Sequence, residues 1–364
     1  MMVVSKQYQI FFDFLRFCIS SESEIPSSLK EADWEELYAI AKKQCLVGVL
    51  FDGIKKLPAE QVGMKMGLLF QWIAKNRMLE KANVRLNDAA IQVSEWFRKK
   101  GFRTCILKGQ GNALMYPNPY SRTPGDIDIW VEGGDKRVIS FVRSISPHEK
   151  ACYHHIEFPS YKGVEVEVHY RPSFLLCFSH NRKLQKFYER MKEEQFSHRV
   201  MLGKQGEIAI PTAEFNLIFQ LTHIYAHLMN EGIGLRQLLD YYYVLISDDL
   251  LLIRDRVQKE LKELGLWKFA GGIMYIMQEV FGMPASRLIV PPNEKYGKFV
   301  LNEVLEAGNF GKHDERNRFG RSKLGHNLQR VYRDIRLVRY FPAEAMSEPF
   351  FRVWHFFWRM KNRK

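Results

Sequence analysis

Residues 106–110, Ile-Leu-Lys-Gly-Gln, and residues 125–131, Gly-Asp-Ile-Asp-Ile-Trp-Val, decide how this chain is read. Both are short apolar runs of strand character, each carrying polar groups where a site for phosphate and metal would need them. In a strand, successive side chains alternate between faces, so Asp126 and Asp128 share one face while Ile127, Ile129 and Val131 share the other. Two carboxylates side by side repel each other unless a cation neutralises them or water screens them. The apolar surroundings favour the cation. A third segment, Val164-Glu165-Val166-Glu167-Val168-His169-Tyr170, alternates in the same way, with Glu165, Glu167 and His169 opposite the valines. Paired beside Asp126 and Asp128, it brings a third carboxylate, and the three together suit Mg²⁺ or Mn²⁺, hard cations held by oxygen ligands and substrate phosphates. Two such ions ~3.5–4 Å apart clamp the attacking and leaving oxygens of a displacement at phosphorus.

A strand ending in glycine, a helix, hydrophobic-Asp-hydrophobic-Asp-hydrophobic, and a later acidic strand together resemble the polymerase-β-type nucleotidyltransferase superfamily. More narrowly, Leu107-Lys108-Gly109, Tyr116, Pro119, Arg122, Asp126-Ile127-Asp128 and Glu167-Val168-His169-Tyr170 resemble a bacterial family of uncharacterised nucleotidyltransferases. The likeness continues into His223, His227, Arg236 and Asp240, covering roughly residues 70 to 250. It implies Asp126, Asp128 and Glu167 as catalytic metal ligands for two ions, with Glu167 preferred to Glu165 because it stands two residues before His169. It also implies an NTP as substrate, with Lys108, Gly109, Gln110 and Arg122 at the nucleotide, and His169, His223, His227, Arg236 and Asp240 along the substrate cleft. Arg122 has two possible roles, contacting phosphate or orienting Asp126. Gln110 stands where a small residue is usual, and Glu167 where Asp is more common. The expected reaction moves an NMP group from an NTP to an acceptor with release of pyrophosphate. The acceptor is left open between small molecule, sugar, RNA and protein. The alternative is a non-catalytic nucleotide- or RNA-binding relative of the same fold.

The bulk properties agree with a folded protein. The 364 residues, 46% hydrophobic and 13% aromatic, suffice for more than one core. The formal charge of +13 favours a polyanionic partner, although it is dispersed. Cysteines 18, 45, 105, 152 and 177 show no Cys-x-x-Cys spacing and read as reduced thiols. No signal peptide and no apolar run of ~18 residues is evident, so a cytoplasmic protein without a transmembrane segment is expected.

Hydrophobic periodicity divides the chain into an N-terminal helical region (1–100), an α/β nucleotidyltransferase core (101–210) and a C-terminal helical domain (211–364), an α+β protein with a small mixed sheet. Helices are expected at 7–19, 34–47, 67–100, 109–116, 135–145, 212–229, 234–247 and 250–282. Strands are expected at 102–107, 126–132, 151–159 and 163–170. Thr212 is a candidate N-cap. Residues 309–326 read as a loop. The aromatic and basic stretch 343–361 reads as a helix docked on the protein's own core rather than on a membrane.

Overall fold

The computed structural model describes residues 5–20, 24–58, 63–203, 206–247, 250–314, 316 and 323–362. It is a mixed α+β protein, mostly helical, with a small mixed sheet. Strands β1 (Thr104–Ile106), β2 (Ile127–Val131), β3 (His155–Tyr161) and β4 (Val164–His169) lie in the order β1-β2-β4-β3. β2 runs antiparallel to β1 and parallel to β4. The β3–β4 hairpin turns through Lys162 and Gly163, both with positive φ, which suits the right-handed twist of the strands that they join. In the β2–β4 ladder Ile127 faces Val166, Ile129 faces Val168, and Asp128 stands beside Glu167.

The alternation places Ile127, Ile129, Val131 and the three valines of β4 on one face. There they pack on the long helix α4 (Met66–Lys99), through Leu86, Ala90, Val93 and Phe97, and on α6 (Gly134–Ile145). The opposite face carries Asp128, Trp130, Glu167 and His169 towards the helical half. Trp130 packs there on Phe196 and Phe215 at ring-centroid distances of 4.6 and 5.7 Å. β2 is therefore covered on both sides, and Asp128 is 2% exposed.

α4 also sets the loop before β2. Asn83, buried on α4, donates to the carbonyls of Tyr120 (2.9 Å) and Arg122 (2.8 Å). On the loop's other side, α3 (Val47–Ile54) comes so close at Gly48 that an added Cβ would stand 2.2 Å from the Ser121 carbonyl.

Several helices differ from expectation. The helix expected over 34–47 stops at Lys43 as α2 (Trp34–Lys43), because Cys45 takes a positive φ, and α3, which was not expected, follows from Val47. The turn expected over 109–116 shrinks to α5 (Gln110–Ala113). The helix expected over 250–282 is two, α10 (Leu250–Glu263) and α11 (Trp267–Phe281), stopped by left-handed Gly265. Thr212 does precede α8 (Ala213–Asn230), but its hydroxyl donates to Gln195 Oε1 instead of accepting from the first turn. Elements absent from the expectation are α7 (Phe178–Ser197), the β5–β6 hairpin (Arg199–Leu202 with Gly206–Ala209), α12 (Glu294–Ala307) and α13 (Lys323–Val338). Of residues 309–326, residues 309–311 form a short 3₁₀ turn and 323–326 belong to α13, while 315 and 317–322 lie outside the described residues.

The last helix, α14 (Pro342–Lys361), docks as expected through part of its aromatic stripe, with Trp354 and Trp358 against Tyr153. Phe351 is buried against Tyr153 and Phe174, but Phe350, Val353, Phe356, Phe357 and Met360 are exposed. Among the described residues no helix is long and apolar enough to cross a membrane.

Candidate active site

The β2–β4 register brings Asp126, Asp128 and Glu167 together at one end of the sheet. A carboxylate oxygen of each lies within 4.8 Å of the others. Asp126 precedes the strand proper and is half-buried, Asp128 is buried, and Glu167 keeps 35% of its side chain exposed. The residues form the floor of a cleft of about 660 Å³ whose walls come from the loop after β4, from α8 and from Phe310, Lys312 and Arg330.

Two cations already offset this negative charge. Lys108, at the end of β1, places Nζ 3.1 Å from Asp128 Oδ2. His169 Nε2 donates to Asp128 Oδ1 at 3.0 Å and lies 3.4 Å from Glu167 Oε2, while its Nδ1 donates to the Arg171 carbonyl at 3.3 Å. With both ring nitrogens donating, the imidazole is held as a cation. Burial alone would lower its pKa, but Asp128 and Glu167 carry it up to about 9. Burial likewise opposes the charge on Asp128, yet Lys108 and His169 keep it below the usual carboxylate range. Glu167 is drawn down to about 2 against the effect of burial, chiefly by His169 and His155. Burial would also depress Lys108, but Asp128, Asp126 and Glu167 hold it above its ordinary value.

Gly109 has φ +67° and ψ −107°, backbone that glycine adopts without strain, and a Cβ there would stand 3.6 Å from the Asp126 carbonyl. Its neighbour Gln110 turns away from the cleft. The Gln110 amide donates to Asn87 Oδ1 on α4, and the side chain is 3% exposed. The length of Gln110 therefore takes no space from a ligand, and its side chain has no route to a nucleotide.

Arg122 also departs from expectation. It reaches neither Asp126 nor the cleft, but clamps Asp240 on α9 (Leu235–Leu245) through Nε and a terminal nitrogen, both at 2.8 Å. The Tyr116 hydroxyl donates to the same carboxylate at 2.7 Å. Arg236 lies beside them, donating to the Thr123 carbonyl at 3.0 Å. This buried cluster braces the loop of Arg122 against α9 beneath the cleft. The residues expected along the cleft thus fall into two groups. His223 and His227 line it, with Nε2 atoms 3.0 Å apart and His223 Nε2 3.1 Å from Lys108 Nζ, whereas Arg236 and Asp240, with Arg122, line a smaller recess that shares Lys108, His223 and Phe310 with it.

The cleft also contains residues that the motifs did not indicate. His154 and His155 come from the start of β3, and Phe174, Phe310, Lys312 and Arg330 from distant segments. Burial lowers both histidines, His155 to about 4, where His169 adds to the effect. The His154-His155 doublet was visible as a pair of imidazoles close before the acidic strand. Phe310, Lys312 and Arg330 carried no local signal.

Comparison with known proteins bears on this geometry. No curated protein matches the chain. A solved structure, an antigenic nucleotidyltransferase-like protein from Paracoccidioides brasiliensis, aligns with 14% identity over 50% of this chain and 90% of its own, at a TM-score of 0.28. A model of a family described as uncharacterised nucleotidyltransferase matches residues 30–282. That match spans well over half of the chain, extending on both sides of the acidic strands, and the protein belongs to this nucleotidyltransferase family.

Proposed function

We propose that the protein transfers an NMP group from an NTP to an acceptor oxygen, with Mg²⁺ or Mn²⁺ held by Asp126, Asp128 and Glu167. The observation that carries this reading is the convergence of three carboxylates from neighbouring strands on the floor of the cleft. Their donor set is all oxygen, which suits a hard divalent cation, and the mutual repulsion of three charges is relieved by binding one. Bound there, such ions supply positive charge at the reacting phosphate and lower the pKa of an oxygen that approaches it.

The residues themselves perform the rest. The acceptor oxygen bonds to the α-phosphorus as the bond from that phosphorus to the bridging oxygen breaks, and pyrophosphate departs. Lys108 sits where it can leave Asp128 for the phosphates and neutralise charge that builds up in the transition state. Gly109 admits the phosphates close to the backbone beside Asp126. His169 holds Asp128 and Glu167 ionised and oriented. Glu167, beside the metal it would help to hold, accepts a hydrogen bond from the acceptor hydroxyl and orients it, and the acceptor's proton leaves to water. Lys108, Lys312 and Arg330 in the lining supply cationic partners for an anionic ligand.

The Lys108–Asp128 ion pair also fits the second reading, a binder that keeps the fold without turnover. Incubating the purified protein with each NTP, divalent metal and cell extract separates the two. Metal-dependent pyrophosphate release with labelling of an acceptor is expected, and both are lost in Asp126→Asn, whose half-exposed carboxylate can be neutralised with little disturbance of the fold. NTP binding without pyrophosphate release, or release unchanged in folded Asp126→Asn, overturns the transferase reading.

A further inference from the structure

Away from the cleft, Cys177 is the N-cap residue of α7, and His180 lies three residues later in its first turn, on the same side of the helix. The first turn of α14 brings Glu344 to them. A thiol sulfur, a ring nitrogen and a carboxylate oxygen from these residues lie within 4.8 Å of one another. We infer that Cys177, His180 and Glu344 form a second metal site, for zinc or a cation of similar softness, which clips α14 to the start of α7.

Glu344 provides the independent observation. Glutamate is almost never fully buried without partners, yet this one is 3% exposed. Its Oε2 accepts the backbone N–H groups of Leu176 and Cys177, which fixes the carboxylate. Its Oε1 is buried with no hydrogen-bond partner among the described residues, and the nearest cationic group is His180 Nδ1, 3.7 Å away. A buried carboxylate oxygen left unsatisfied is costly, and one aimed at a histidine and a thiol is explained by a cation between them.

The other two ligands are prepared for the same role. The His180 ring lies over Gly265, where an added Cβ would stand 2.4 Å from its Cε1, so the glycine that ends α10 also makes room for this imidazole. The Cys177 sulfur is held by the Ser179 hydroxyl, 3.3 Å away, on the side of the helix that carries His180. Thiolate is the form that binds metal. Zinc–ligand bonds of ~2.0–2.3 Å set ligand atoms roughly 3.5 Å apart in a tetrahedron, close to the 3.7 Å His180–Glu344 separation, with the Cys177 sulfur within 4.8 Å of both. Sulfur and nitrogen donors select against Mg²⁺ and so separate this site from the all-oxygen floor of the cleft. Three protein ligands leave one position for water.

Cobalt(II) alone, titrated into the full-length protein, tests the assignment, because a thiolate ligand produces a near-ultraviolet charge-transfer band that carboxylates in the cleft cannot. The wild type should show the band, and Cys177→Ser should lose it. Cys152→Ser should retain it, although Cys152 lies near His154 and His155 in a rival cluster. His180→Gln should weaken zinc binding by more than the roughly tenfold that losing even a supporting hydrogen bond costs. Zinc should raise the thermal midpoint of the wild type and of Cys152→Ser by more than that of Cys177→Ser, in which the carboxylates and histidines of the cleft remain to bind it. A band absent from the wild type, retained in Cys177→Ser or lost in Cys152→Ser overturns the site.

Discussion

Replacing Asp240 with asparagine tests whether the buried clamp beneath the cleft is structural. The Arg122 and Asp240 side chains are 4% and 6% exposed, joined by two 2.8 Å bonds, with the Tyr116 hydroxyl as a third donor to the carboxylate. Removing one member of such a pair costs about 3–5 kcal/mol, because it leaves the other charge buried and uncompensated. Here the cost belongs in the upper half of that range. Arg236 draws on the same carboxylate, its own charge is disfavoured first by burial and then by Arg122, and its Nε has no partner among the described residues. An exposed pair at a cleft rim would instead be worth ~0–1 kcal/mol. Urea unfolding at neutral pH in EDTA, followed by far-UV circular dichroism, measures the difference. Tyr116→Phe removes only a hydrogen bond to a charged acceptor, at about 1.5–3 kcal/mol, and remains measurable if Asp240→Asn is too unstable to purify. A loss below about 1 kcal/mol in both variants would refute the clamp and return Arg122 and Asp240 to the substrate.

Glu165 and Glu167 share a strand face, but only Glu167 stands beside Asp128, so Glu167→Gln should abolish metal-dependent pyrophosphate release while Glu165→Gln keeps most of it. The reverse order of effects would contradict the ladder register. His355, whose Nε2 accepts the Tyr153 N–H at 3.1 Å, is pushed down to about 4 by burial and by Arg359. Its neutral form is the folded form, so this contribution to stability is present above the unfolded value near 6.5 and is lost as pH falls towards 4. Thermal midpoints between pH 7 and 5 should fall less steeply in His355→Gln than in the wild type, and parallel curves would remove His355 from the acid response.

The sheet was legible because its signal is local. The alternation of Ile and Val with acidic residues at 126–131 and 164–169 specifies two strands, their faces, and which side chains meet if they pair. Side-chain destinations set by distant partners were not legible. Gln110 turns towards Asn87 on α4, and Arg122 towards Asp240 on α9, more than a hundred residues away. Nothing beside either residue in the sequence distinguishes a ligand contact from a buried brace. α7 was missed because its buried residues, Leu184, Phe187, Tyr188 and Phe196, are diluted by charge, although their spacing is helical. The Cys177–His180 pair escaped a search for cysteine–cysteine spacing, and its third member lies in another helix.

The cleft has a floor and a roof of different standing. Its carboxylates, Lys108 and the α8 histidines lie within the stretch matched by the family, whereas Phe310, Lys312 and Arg330 lie beyond residue 282. The lower part lies inside the matched stretch and the upper part outside it, so the two can be varied separately. Grafting a relative's segment over residues 309–338 is therefore a way to change what the cleft accepts while leaving its floor intact.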